Sequence, residues 1–245
     1  MTALPMPYWE AVRLAAEPFE LMKFTLIYDG DLPAGDGKRA IYASKIRNEI
    51  HDQLADLWDS HVILRQLDRT ARIWASQGTG NIVHLQGVDW FRAEKLPDFR
   101  EPVPPVADGT IDLCRAIEAN GIQGAKFKPL IRESLNLACA VDILFLRHEE
   151  PFALFEQGGD LDNRIKTFFD GLKIPDKNQF ESGEHPRGDP LYVLLQDDLY
   201  VSDFSIRTAR LLGARTKEKH AVRIVAEVTI KVLRVTDENQ CLIGG

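Results

Sequence analysis

The chain has 245 residues, 37 acidic against 30 basic side chains, a formal net charge of −7, three cysteines and 44% hydrophobic residues. That length buries a sizeable core as one large domain or two small ones, no run approaches the ~20 consecutive apolar residues of a membrane-spanning helix, and Cys114, Cys139 and Cys241 are too scattered for a disulfide framework or zinc knuckle. Met1 to Phe24 carries Glu10, Glu17 and Glu20 instead of the basic-then-apolar pattern of a secretory signal, so a cytoplasmic location is expected, and −7 at face value speaks against a general nucleic-acid binder.

Lys23 to Tyr28 reads as a short strand, and Asp29 to Gly37 is dense in turn formers. Between Ile41 and Trp58, Ile46, Ile50, Leu54 and Trp58 recur every four positions, the mark of an amphipathic helix. Residues 62–92 are ambiguous, with two short apolar runs around a Gly-rich turn. Pro97 to Pro105 (PDFREPVPP) suits an extended linker, and Ile111 to Ala119 predicts a short helix. Leu135 to Arg147 is a near-continuous apolar run, as a buried central strand would be, broken by Asp142 alone. After Gly158-Gly159, Asp162 to Leu172 reads as a helix and Leu191 to Leu195 as a strand leading into Gln196-Asp197-Asp198. In Ala221 to Val235, Val222, Ile224, Ala226, Val228, Ile230 and Val232 alternate with Arg223, Glu227, Thr229 and Lys231, which is the period of a half-buried strand. The sum is an α+β (mixed α/β) domain, a mixed sheet flanked by helices.

Charge is unevenly spread: residues 151–200 hold ten acids and five bases, residues 201–245 five acids and eight bases. In the acidic stretch Leu161, Ile165, Phe168 and Leu172 form the apolar stripe of the helix, while Asp162, Lys166 and Asp170 fall at i, i+4 and i+8 and are expected on another face. Asp160, just before the helix, sits where backbone N–H groups favour a negative charge. Two aspartates so spaced can converge on a hard cation such as Mg²⁺, with the later pair Asp197-Asp198 closing the site and Lys166 meeting a phosphate oxygen. The same residues also have a plain structural use. Either aspartate can cap the helix, Asp162 and Lys166 make an ordinary i,i+4 ion pair, and Asp197-Asp198 can be turn residues.

The string Asp160-x-Asp162-Asn163-x-x-Lys166-x-x-x-Asp170-x-Leu172, followed by Asp197-Asp198 and a strand, resembles the RusA-type Holliday-junction resolvases. The resemblance implies a RusA-like fold and a homodimeric, Mg²⁺-dependent endodeoxyribonuclease of DNA recombination and repair, with Mn²⁺ as a substitute ion. It implies Asp160, Asp162 and Asp198 as the essential carboxylates, joined by Lys166, with Asn163 and Asp170 in supporting positions. It covers about half the chain, as a core over residues 22–58 and 126–235 of a single 1–245 domain. Residues 60–125 form an insertion, and Lys173 to Pro190 lengthens the gap before Asp197. The expected activity is structure-selective cleavage of branched DNA. The alternatives are a non-catalytic nucleic-acid-binding or assembly component of the same fold, or a metal-dependent nuclease acting on RNA or flap DNA.

Asp142 is a further metal ligand or the holder of a structural hydrogen bond, and Asp197 a secondary ligand or a turn residue. Arg207, Arg210, Arg215, Lys217, Lys219 and Arg223 are the expected phosphate contacts, since Lys/Arg clusters supply sequence-independent affinity for nucleic acid. Lys38, Arg39, Lys45 and Arg47 are a weaker second set. The six histidines form no metal-binding spacing and read as surface or loop residues, with His185 and His220 as phosphate neighbours at most. The four tryptophans read as core or interface residues rather than base-stacking platforms, and the cysteines as buried apolar residues.

Overall fold

The computed structural model describes residues 19–33, 39–61, 64–65, 72–75, 83–85, 110–112, 114–119, 122, 124–148, 160–180, 189–212 and 220–233. In chain order the strands are β1 (Phe19–Asp31), β2 (Arg72–Ala75), β3 (Val83–Leu85), β4 (Thr110–Asp112), β5 (Ile117–Glu118), β6 (Lys126–Ile131), β7 (Leu137–Arg147), β8 (Leu191–Leu195), β9 (Val201–Arg210) and β10 (Ala221–Val232). The helices are α1 (Arg39–Ser60) and α2 (Asp160–Leu172).

Alternation along β10 and the apolar run of β7 dictate the principal sheet. Its order is β1-β10-β7-β9, with β10 antiparallel to both β1 and β7, and β7 parallel to β9. One face presents Leu26, Val141, Ile143, Phe145, Ile224, Ala226, Val228 and Ile230, all buried. Against that core α1 lays Ile46, Ile50 and Leu54, and α2 lays Ile165, Phe168 and Leu172. Full burial of one such side chain contributes ~1.5–3 kcal/mol, so these stripes rather than helix propensity hold the two helices in place. The opposite face is mixed: beside Ile27, Val225, Leu144 and Leu146 it carries Lys23–Glu227 at 2.7 Å, Lys231–Asp203 at 2.8 Å and Arg223 paired with Asp29.

A second mixed sheet, β5-β6-β8, pairs β6 parallel to β8, a ladder that Gln196 N extends by donating to Ile131 O at 2.8 Å, and its Leu130, Ile131, Leu194 and Leu195 share the core of the principal sheet. A third sheet, β3-β2-β4, is antiparallel and falls within the span read as an insertion. Two mixed sheets and two helices make the described structure α+β. None of its helices is long and apolar enough to cross a membrane.

The helix expected over 111–119 is not formed: Thr110–Asp112 pairs with β2, and Ile117–Glu118 with β6. Two-residue and three-residue pairings leave no period to read, and β-branched Thr110, Ile111 and Ile117 suit extended backbone. His51, read as a surface residue, is buried in α1, where its Nδ1 accepts the Tyr192 N–H at 2.9 Å. Trp58, Cys114 and Cys139 are core residues, as expected, and burial pushes the Cys139 thiol up to about 12. The Pro97–Pro105 stretch, Trp9, Trp90, His185 and Cys241 lie outside the described residues.

Candidate functional site

The motif rides on α2, whose first residue is Asp160, two earlier than the apolar period indicates. The Asp160 side chain is not among those described. Ile165, Phe168 and Leu172 are buried and Leu161 packs partly against them, so the stripe read from the sequence is the face that meets the core. Asp162 and Lys166 stand on the solvent side, joined Oδ2 to Nζ at 2.6 Å.

Asp170 does not share their face. At 3.6 residues per turn, eight residues leave a drift of about 80° from a straight line, which turns Asp170 towards α1. Its side chain is 6% exposed and has Arg39 Nε at 2.5 Å on Oδ2, while Gln179 Nε2 donates to Oδ1 at 3.0 Å. Arg47, read as a weak nucleic-acid contact, is also buried. Its guanidinium donates to Asp170 O at 2.7 Å and Lys173 O at 3.1 Å, closing the carbonyl end of α2. Arg39 and Arg47 therefore belong to the junction of the helices rather than to a free basic surface. Lys45 lies 5.0 Å from the Tyr42 ring centroid, and Lys38 is outside the described residues.

Asp197 and Asp198 follow β8 in a short 3-10 turn, Asp198–Tyr200. Asp197 accepts the Leu199 N–H at 3.0 Å, the work of a capping residue. Asp198 reaches back to the end of α2, where Lys173 Nζ donates to its Oδ2 at 2.6 Å. That ammonium holds the Asp198 carboxyl below the usual carboxylate range. Lys173 was not singled out from the sequence. The available signal was its i,i+3 spacing from Asp170, whose Oδ1 is 3.8 Å from the same ammonium.

Asp142 is turned away from this group. Its neighbours Val141 and Ile143 face the core beneath α1 and α2, so strand alternation sends Asp142 to the opposite face, opposite Glu227, where it accepts a hydrogen bond from Ser205. It holds a structural hydrogen bond, and the reading as a further ligand is corrected. Of the basic set, Arg207 and Arg210 are exposed on β9, and Arg223 is engaged by Asp29. Arg215, Lys217 and Lys219 lie outside the described residues; His220 is exposed.

Among the described residues no group of three or more His, Cys, Asp or Glu side chains is placed to share a metal ion. Each candidate ligand is a carboxylate, the right donor for a hard divalent cation, but Asp162 lies in the first turn of α2 and Asp198 meets Lys173 beyond its last, about 16 Å along the axis at ~1.5 Å per residue, too far apart to share one ion as placed. Asp162 and Asp198 each hold a lysine ammonium instead. Compared with known proteins, the chain matches no family model, no curated protein and no solved structure.

Proposed function

We propose that the protein is a Mg²⁺-dependent, structure-selective endonuclease that hydrolyses phosphodiesters in branched DNA and works as a homodimer, in the manner of the RusA-type resolvases its motif resembles. By the resemblance Asp160, Asp162 and Asp198 would hold the ion, an arrangement the described side chains do not form as placed. When bound, it supplies an activated water and offsets charge developing on the scissile phosphate. What supports this reading is the exposed Asp162–Lys166 pair on the first turns of α2, a carboxylate and an ammonium both open to a phosphodiester; Asp198 stands at the other end of the helix, bonded to Lys173 at 2.6 Å. A helix packed into the core by Ile165, Phe168 and Leu172 is a rigid carrier for such groups.

Lys166 supplies the one unit of positive charge that a phosphate oxygen can take directly, and its exposed position leaves it reachable. The Arg207 and Arg210 side chains on β9 supply backbone contacts that carry no sequence preference. The second reading, a non-catalytic nucleic-acid-binding component, is favoured by one observation: Asp162 and Asp198 are each already neutralised by a lysine.

Labelled four-way-junction, duplex and single-stranded DNA, and RNA, incubated with the protein in Mg²⁺ or EDTA, separate these readings. The expected result is Mg²⁺-dependent cutting of the junction that Asp162→Asn abolishes. Equal cutting of junction and linear duplex removes the branched-DNA selectivity. No metal-dependent cutting of any substrate leaves the binding component.

A further inference from the structure

The two edges of the principal sheet are treated differently. On β1, Gln53 of α1 accepts from Ile27 N at 2.9 Å and donates to Ile27 O at 2.6 Å, while Asp29 N donates to Glu49 Oε1 at 3.1 Å. Those side chains occupy main-chain groups that a further strand would need. At the other edge lies β9, and among the described residues neither a strand nor a side-chain hydrogen bond meets its outer side at Phe204, Ile206 or Thr208. Leu211 N donates to Arg147 O at 2.7 Å, so the odd-numbered residues of β9 turn their main chain to β7 and the even-numbered ones turn theirs outward. Of the five large apolar side chains exposed among the described residues, three lie on this strand or just beyond its ends: Leu199, Phe204 and Leu212, at 86%, 57% and 79%.

We propose that β9 pairs antiparallel with β9 of a second copy of this chain, about a twofold axis at Ser205, so that the two principal sheets join into one. The inference deepens the homodimer named above by assigning its contact, and it does not depend on the cleavage reading. Its argument is self-complementarity. In this register Asp203 stands opposite the partner's Arg207, and Arg207 opposite the partner's Asp203, with both side chains exposed on the face away from the helices. Opposite charges directly across an antiparallel pair attract, and like charges repel. Centring the pair on Phe204 or Ile206 sets both charges against uncharged residues, and centring it on Arg207 sets that residue against itself. Lys231 and Ser202 both bond to Asp203 Oδ2, which leaves Oδ1 for the partner's Arg207. The five donors of a guanidinium leave some for a phosphate as well. On the helix-bearing face Phe204, 5.5 Å between centroids from Phe169, exchanges main-chain hydrogen bonds with the partner's Ile206. The same register carries Leu199 towards the partner's Leu212.

Sedimentation velocity of the full chain, with charge variants and a cysteine cross-link, tests this contact. The wild type is expected to dimerise. Arg207→Glu and Asp203→Lys are each expected to weaken self-association about tenfold, since each sets two like-charged pairs across the axis. Mixed together, the two variants should form a one-to-one dimer of near wild-type affinity, which no purely structural defect would restore. Ser205→Cys should give a reducible dimer on oxidation with copper phenanthroline, above the baseline set by the wild type's own cysteines. Arg207→Cys should not, because the two copies of that position lie ~14 Å apart along the strands, beyond the ~7 Å that a disulfide spans between Cα atoms. Should Ser205→Cys fold poorly, the mixing experiment carries the test. A dimer indifferent to both charge variants, with no cross-link at position 205, overturns this contact and leaves the homodimer to another surface. A monomer at every concentration overturns the contact and the homodimer together, and leaves the edge to an extended segment of another protein.

Discussion

Single side chains decide how the acidic cluster behaves with pH. Lys173 bonds to Asp198 and lowers its carboxyl below the ordinary value. A carboxyl depressed in the folded state contributes stability above its unfolded value near 3.9, and that contribution is lost as pH falls through the lower folded value. Asp198→Asn is therefore expected to lower the urea midpoint at pH 7 by a small amount, the residue being largely exposed. As pH falls below the ordinary carboxylate range, the gap between variant and wild type should narrow and close once the Asp198 carboxyl is protonated in the fold; a gap unchanged by acid would show that Lys173 does not act on the ionised form. Asp203 follows the same logic through Lys231, on the far face of the principal sheet, and is the internal comparison. Asp170 shows how sequence spacing misleads at this scale. Its i+8 position suggests the Asp162 face, and only the drift of the helix reveals that it is turned to Arg39 and buried.

At the scale of elements, the contact of α1 with α2 depends on one missing side chain. A Cβ on Gly171 would lie 2.5 Å from Ile46 Cγ2 and 3.0 Å from Ala43 O, so the helices meet only because this residue has none. Gly171→Ala gains helix propensity of about 1 kcal/mol and loses more to overpacking. The expected net is a destabilisation of about 1–2 kcal/mol in urea unfolding, and a neutral result would mean that α1 shifts freely. The elements legible from the sequence were those with an unbroken period. The α2 stripe of Ile165, Phe168 and Leu172 is buried as read, β8 spans Leu191–Leu195 as read, and the alternation of β10 is that of a strand with one buried face. Reading failed where pairing rather than pattern makes the element. β6 holds Lys126, Lys128, Pro129 and no clean alternation, yet its buried run is secured by β8 and by Lys128 lying 4.6 Å from the Trp58 ring centroid. The β7 run announced a central strand but not which face took Asp142, because a residue flanked by apolar neighbours on both sides leaves the two faces alike in sequence.

For the whole molecule, the net charge of −7 says little about which surface cations are open to a partner. On the face of the principal sheet away from the helices Lys23, Lys231 and Arg223 are each joined to a carboxylate, which leaves little for a phosphate backbone there. Arg207 is exposed on the edge strand β9. If it contacts DNA as proposed, Arg207→Ala should flatten the salt dependence of duplex binding by about 0.9 in the log–log slope, the share of one phosphate. An unchanged slope would take this strand out of the interface. The order β1-β10-β7-β9 has a further consequence, for how the chain reaches this structure. The last of the described strands in chain order, β10, lies inside the sheet, with β1 on one side and β7 on the other, and Phe19 is paired with Val232. Until β10 emerges, the apolar faces of β1 and β7 have no common neighbour, and closing so long a loop is slow. Assembly of the principal sheet must therefore wait until Ala221–Val232 has been made, and until then a nascent chain has two hydrophobic strand edges to protect.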